Sequence, residues 1–471
     1  MPSLRRPALL FAVCGLVAML TFLQTSEKSI TYHFAKTVQN PLNVLYFEDM
    51  PSPAATEEAI IQPYKRHELT RNINCAAYFQ NSSITPLPKI DKRIKVSDKD
   101  NIDLSCEAIQ SRGYYPNSTD QDDYPIAFAR VVYKDYQFQE VAFRADFAPN
   151  NVFCYTIDTK AKPEFVDKLL ALAKCFPDNI VIAKEKFDVL QNGKNMIAAH
   201  LACLNELASK NYNYVFLLQN SDMKSKTNPE TVEILKILNG TNDVSALHAS
   251  PRHINPKADY SLKGLAIFRN ATLNQRKTTP KGRNIRIHPT KSFVQSIISR
   301  QAVDYIQTEL DLTKFIKRLE SNPYGFDEGF FGTLNNNPTL NLPGGYTHEC
   351  LEKNIEYEAL TRLTLWENIE EMNKKCHSRK FRHTLCIYGL EDLFFLDSQP
   401  HTVVNKFLSE FDFGAIDCMA ERMHNRTYYG TPGGFDLSTY ADQPHVIYNR
   451  MKQEGRANEF KCFNTNITSR T

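Results

Sequence analysis

After Tyr124 the apolar positions of this 471-residue chain fall into short runs of strand length, namely IAFARVVY, NVFCYTID, NIVIA and YNYVFLLQ. They are rich in β-branched and aromatic residues, as buried strands are. The stretches between them carry the helical period instead. In KPEFVDKLLALAKCF, Phe165, Leu169, Leu172 and Phe176 recur at helical spacing, and NMIAAHLACLNELAS is similar. Strands alternating with helices predict an α/β fold with a mostly parallel, Rossmann-type sheet flanked by helices. Ligands of such sheets sit beyond the carboxyl ends of the strands. Asp158 ends the second run and Asp222 follows the fourth, so both acids are expected where a nucleotide would lie. The C-terminal half is more broken: a helical segment QAVDYIQTELDLTKFIKRLE, the acidic turn NPYGFDEGFFGTL and the strand-like HTLCIYGL.

The ends read differently. Arg5 and Arg6 precede an uncharged run from Pro7 to Leu23, about 25 Å long as a helix and at the short end for a bilayer span. Basic residues before the run favour a cytoplasmic N-terminus. A cleaved signal peptide is the rival reading, but bulky Phe22-Leu23-Gln24 offers no small-x-small cleavage site. The expected layout is a cytoplasmic tail over 1–6, a signal-anchor over 7–25, a polar stem over 26–122, a catalytic domain over 123–440 and a tail over 441–471.

Composition narrows the choice. With 42% hydrophobic residues the chain can bury a large core, and a net charge of +3 argues against a dedicated nucleic-acid surface. Asn-x-Ser/Thr sequons at Asn81, Asn117, Asn239, Asn270, Asn425 and Asn466 are glycan acceptors if the chain is lumenal. Of eleven cysteines, Cys14 falls in the apolar run and an even ten remain, for which disulfides are the default in an oxidising lumen. Metal-dependent sugar transferases hold a divalent ion with Asp-x-Asp at the end of a strand. Here Asp98-Lys99-Asp100 and Asp120-Gln121-Asp122 both precede the first core strand, so each is read as solvated charge and no metal is expected.

The order of YPIAFARVVYKD, NVFCYTIDTKA, LAKCFPDNIVIA, LACLNEL, YNYVFLLQNSDMKSKTN, GFDEGFFGTL, TRLTLWEN, CIYGLEDL and VVNKF resembles that of the core 2/I-branching β-1,6-N-acetylglucosaminyltransferase family, from about residue 124 to 420. The resemblance implies a GT-A-like fold, a Golgi type II membrane topology and metal-independent, inverting transfer of N-acetylglucosamine from UDP-GlcNAc to a glycan. No cofactor is implied beyond that donor. It also implies that Glu328 is the catalytic base, that Asp158 holds the uridine, and that Asp222, Lys406 and either Arg382 or His383 serve the donor. Trp366 would line the acceptor. The disulfides implied are Cys75–Cys418, Cys106–Cys175, Cys154–Cys203 and Cys376–Cys386; Cys350 and Cys462 remain, and their pairing with each other is left open. For several of these a plainer reading stands beside the functional one. Glu328 would suit a helix N-terminus, Trp366 would suit a core, and Cys154 and Cys203 would suit buried thiols.

The departures concern the acceptor more than the donor. The family's arginine position, three before the cysteine of CIYG, is His383 here, with Arg382 one step earlier. ASPRHINPKADYSLKG stands where the family has its acceptor segment, HPTKSFVQS where it has a glycine-rich serine motif, and Asn368 replaces a tyrosine. A xylosyl- or glucuronosyltransferase, or an inactive lumenal glycan-binding protein, therefore remains an alternative.

Overall fold

The predicted runs form strands β1 (Ile126–Val132), β2 (Val152–Ile157), β3 (Ile180–Ile182) and β4 (Tyr214–Gln219) of one sheet. In this computed structural model residues 61–464 are described, except 81–85, 118–123, 252, 256, 279–281, 283–284 and 431–435. The 7–25 run, Asn81, Asn466 and Asp120-Gln121-Asp122 lie outside the described residues. No described helix is long and apolar enough to cross a membrane.

β4 continues after a tight turn into β5 (Asp222–Lys224), and β6 (Ser296–Ser299), β7 (Arg362–Leu363), β8 (Phe381–Arg382), β9 (Leu385–Cys386) and β10 (Val403–Asn405) follow. The main sheet has the order β3-β2-β1-β4-β6. All its pairs are parallel except β4 with β6. A second sheet, β5-β10-β7, continues from the end of β4, and β8 with β9 makes a hairpin. The chain order reverses direction between β1 and β4, which opens a crevice at their carboxyl ends.

Both faces of the main sheet are covered, and this explains why its strands read as unbroken apolar runs. Ala127, Ala129, Cys154, Val215 and Leu217 enter one core. Their alternates Ile126, Phe128, Phe153, Tyr155, Phe216 and Leu218 enter the other. Phe128 stacks on Phe153 and Phe216 at 4.8 and 5.4 Å. The helix Pro163–Cys175 buries Phe165, Leu169 and Leu172, three of the four positions its period marked, and the fourth, Phe176, is buried just past its end.

The polar segments at either end also pack. In residues 61–117 the helix Cys106–Ser111 is tied by Cys106–Cys175, and Cys75 joins Cys418 in the helix Ser409–Tyr429. The region given to the tail contains a helix, Pro444–Gln453, whose His445 lies 3.1 Å from buried Asp243. Cys154–Cys203 and Cys376–Cys386 complete the four pairs that the resemblance implies, and Cys350–Cys462, which it left open, is a fifth. In the loop-entropy account each such bridge contributes about 2–5 kcal/mol. Asn117, Asn239 and Asn270 are exposed, and Asn425 is half-buried within Ser409–Tyr429.

One expectation is corrected. Asp98 is not merely solvated charge. Its carboxylate accepts the backbone N–H groups of Asp135 and Tyr136, both at 2.7 Å, at the start of the helix Tyr136–Asp146. Asp135 has a left-handed φ of 74° and makes no side-chain cap of its own, so a carboxylate from a remote segment takes over. Asp98→Ala should cost about 1 kcal/mol, lowering Tm by about 2 °C with turnover of the folded protein intact. Lost turnover at an unchanged Tm would return the pair to the chemistry.

Candidate active site

Asp222 is fully buried, and its carboxylate accepts from the Gln219 backbone N–H at 2.6 Å, Gln295 Nε2 at 2.9 Å and Asn405 Nδ2 at 2.6 Å. Gln295 precedes β6 and Asn405 ends β10, so one carboxylate pins the main sheet to the second. Arg362, the first residue of β7, closes the ring: it donates to Gln295 Oε1 and Asn405 Oδ1, each at 3.2 Å, and to Thr364 Oγ1 at 2.6 Å. Its guanidinium lies 4.9 Å from the centroid of the Phe293 ring. Asp222 was expected to serve the donor; in the structure both of its oxygens accept from protein donors, which tie the floor of the site together.

Three further cations gather beside that floor with Arg362, namely Lys406, Lys134 and Arg382. Lys406 follows Asn405 and is half-buried. Desolvation first, then the charges of Arg362 and Arg382, push its pKa down to about 8. Lys134, just past β1, is held by Asn220 Oδ1, which accepts the backbone N–H groups of Tyr133 at 2.9 Å and Lys134 at 3.2 Å. Glu410 joins two of the cations, accepting from Lys134 Nζ at 3.0 Å and Arg382 at 2.7 Å. His383 sits in the tight turn of the β8–β9 hairpin, exposed, with Nδ1 3.2 Å from Gln191 Nε2. Of the two residues considered for the arginine role, Arg382 is thus the one that joins the cluster beside Lys406.

Glu328 lies in a short 3-10 turn, Asp327–Gly329, ahead of the helix Phe330–Asn335. Its side chain is 26% exposed, and Oε2 lies 3.1 Å from both Lys291 Nζ and His253 Nε2. The backbone fixes it from below: the Ser292 N–H donates to the Glu328 carbonyl at 2.7 Å. Ser292 Oγ accepts the Gly332 N–H at 3.0 Å, so a serine serves the helix end that Glu328 was a candidate to cap. Two glycines make room. Gly325 has φ +68°, and a Cβ there would fall 2.4 Å from His253 Cδ2. A Cβ on Gly193 (φ +89°) would fall 2.0 Å from Asp327 Oδ1. Burial, reinforced by the Glu328 charge, pushes the Asp327 carboxyl up to about 7.

Asp158 is buried at the end of β2, where it accepts the Lys160 N–H at 2.9 Å and ion-pairs with Lys160 Nζ at 3.3 Å. Trp366 is half-buried and bridges Leu385 of β9, while Glu367 N–H donates to Thr384 at 2.8 Å. These contacts seat the hairpin that carries Arg382 against the Trp366 segment. Arg362, Lys291, His253, Gln295, Asn405 and Lys134 were not singled out from sequence. Arg362 and Lys291 stand inside quoted segments, TRLTLWEN and HPTKSFVQS, but nothing local says that they converge with Asp222 and Glu328.

The layout is that of an α/β enzyme, with a solvent-reachable carboxylate and a group of cations at the carboxyl edge of a parallel sheet. Residues 126–396, more than half of the chain, match the model of the Core-2/I-Branching enzyme family. The chain belongs to that family, a family of glycosyltransferases. It is 24% identical over 382 residues to the human β-1,3-galactosyl-O-glycosyl-glycoprotein β-1,6-N-acetylglucosaminyltransferase 3, covering 77% of this chain and 85% of that one. It is 28% identical over 336 residues to the human N-acetyllactosaminide β-1,6-N-acetylglucosaminyl-transferase, covering 69% and 79%. A similar enzyme of Bovine herpesvirus 4 is 25% identical over 384 residues, covering 77% and 84%.

The raised pKa of Asp327 has a definite sign. The folded protein keeps a proton that the unfolded chain releases near pH 4, so this group's contribution is complete below about pH 4 and is lost as pH rises through about 7. Asp327→Asn should therefore raise Tm relative to the parent at pH 8, with the difference closing toward pH 5. A pH-independent difference would place Asp327 in an ordinary, ionised setting.

Proposed function

We propose that the protein transfers N-acetylglucosamine from UDP-GlcNAc to a glycan hydroxyl in β-1,6 linkage, with inversion and without a metal ion. The observation that carries this reading is the setting of Glu328. Its carboxylate is reachable from solvent, meets Lys291 and His253, and is spent on no helix N–H among the described residues. A carboxylate so placed can take the proton of an acceptor hydroxyl as that oxygen attacks the anomeric carbon. The bond from that carbon to the diphosphate oxygen breaks in the same displacement, and its electron pair leaves with UDP. A single displacement inverts the anomeric centre. Lys406, Arg382 and Arg362 supply positive charge for the departing diphosphate, the task a metal performs in Asp-x-Asp enzymes. Asp98, the one Asp-x-Asp candidate whose first residue is described, is already spent on a helix. Asp158, at the end of β2, is the acid suited to the uridine.

The family's enzymes support the donor and linkage, and the relatives named above carry β-1,6-N-acetylglucosaminyltransferase in their names. Five disulfides and the exposed sequons support a lumenal catalytic domain, which we place in the Golgi behind the 7–25 anchor. Trp366, half-buried beside the hairpin, offers a flat apolar face for a sugar of the acceptor.

Glu328→Gln tests the reading. It should keep Tm and UDP-GlcNAc binding but lower kcat about 10²–10⁴-fold, or roughly 3–5 kcal/mol of transition-state stabilisation. A normal kcat with a lowered Tm would make Glu328 structural and leave the base elsewhere.

A further inference from the structure

We propose that His288, His348 and Glu352 form a site for one divalent ion of zinc type, apart from the sugar-transfer chemistry, that fastens the segment bearing Lys291 and Ser292. One donor atom from each of the three lies within 4.8 Å of the other two. His288 Nδ1 is 4.0 Å and His348 Nε2 is 3.4 Å from the same atom, Glu352 Oε1. The two imidazoles stack with centroids 4.1 Å apart and planes 13° from parallel, so an ion lying in the plane of each ring it binds requires one ring to turn out of the stack. Two imidazole nitrogens and a carboxylate oxygen are a zinc donor set, and three protein ligands leave a fourth position to water. Zinc bonds of about 2.0–2.2 Å require the three donors to draw together. The side chain of Glu352 is 53% exposed and that of His288 is 42% exposed, which leaves them room to do so.

The backbones behind the donors are fixed. His288 N–H donates to Asn337 Oδ1 at 2.8 Å, and Asn337 Nδ2 donates to the His288 carbonyl at 2.9 Å. His348 heads the turn Glu349–Glu352, which contains Cys350 of the Cys350–Cys462 bridge. The i, i+4 spacing of His348 and Glu352 puts both on one face of that turn. The site therefore joins two otherwise separate pieces. One holds Glu328 through Lys291 and Ser292, and the other is anchored to the C-terminal residues by a disulfide. An ion there would stiffen the support of Glu328 without touching the reacting atoms.

The test is calorimetric titration of Zn²⁺ alone into the full-length protein, solubilised in detergent and stripped with a chelator. One equivalent per chain is expected, with a Tm that rises as zinc is added. His348→Ala and Glu352→Gln, each with the parent's metal-free Tm, should lose both the binding and the rise. No stoichiometric binding to the parent would overturn the site. So would undiminished uptake by both variants, which would place the ion elsewhere.

Discussion

The buried carboxylate of Asp222 is the interaction on which the rest of the site depends. Its partners come from the last residue of β4, from the residue before β6 and from the end of β10, and through Gln295 and Asn405 it reaches Arg362 at the start of β7. A carboxylate and a guanidinium taken out of water are costly unless every polar atom nearby is used, and here nearly all are. The reward is positional. Because Asn405 is fixed, Lys406 next to it is fixed. Because β10 is fixed beside β5, the cations gather where the first sheet ends.

Around that hub the site divides into two electrostatic halves. One half gathers Lys134, Arg362, Arg382 and Lys406, with Glu410 as the carboxylate between two of them. The other half holds a carboxylate, Glu328, between Lys291 and His253. The first suits a departing dianionic leaving group and the second suits an entering hydroxyl. Within the second half, the glycines at 193 and 325 let the chain pass close to Asp327 and His253.

How much of this was legible in the sequence depended on how local the signal was. Four of the five strands of the main sheet were readable because burial on both faces leaves unbroken apolar runs, and the observed bounds differ from the runs by a residue or two. The segment 301–320 read as one helix but forms two, Arg300–Glu309 and Thr313–Glu320, because Leu310 turns inward and Asp311 accepts the Thr313 N–H to start the second. HTLCIYGL read as a strand, yet only Leu385–Cys386 pairs, since its first residues make the turn of a hairpin. The contacts of Asp98 and Asp222 were illegible because their partners lie 37 and 183 residues away, and no spacing rule reaches that far. The convergence of Lys291 and His253 on Glu328 was hidden for the same reason. The Arg382 or His383 ambiguity needed the hairpin's own geometry.

In the proposed transfer, one carboxylate and a set of protein cations carry out a single inverting displacement. The measurement that bears on it most directly is the proton NMR spectrum of the product formed from UDP-GlcNAc and a galactose-terminated glycan in excess EDTA. Such a displacement should yield a β-configured N-acetylglucosamine on the 6-hydroxyl, formed at the rate seen without chelator. An α-configured product, or transfer that stops in EDTA and returns with Mn²⁺, would contradict it.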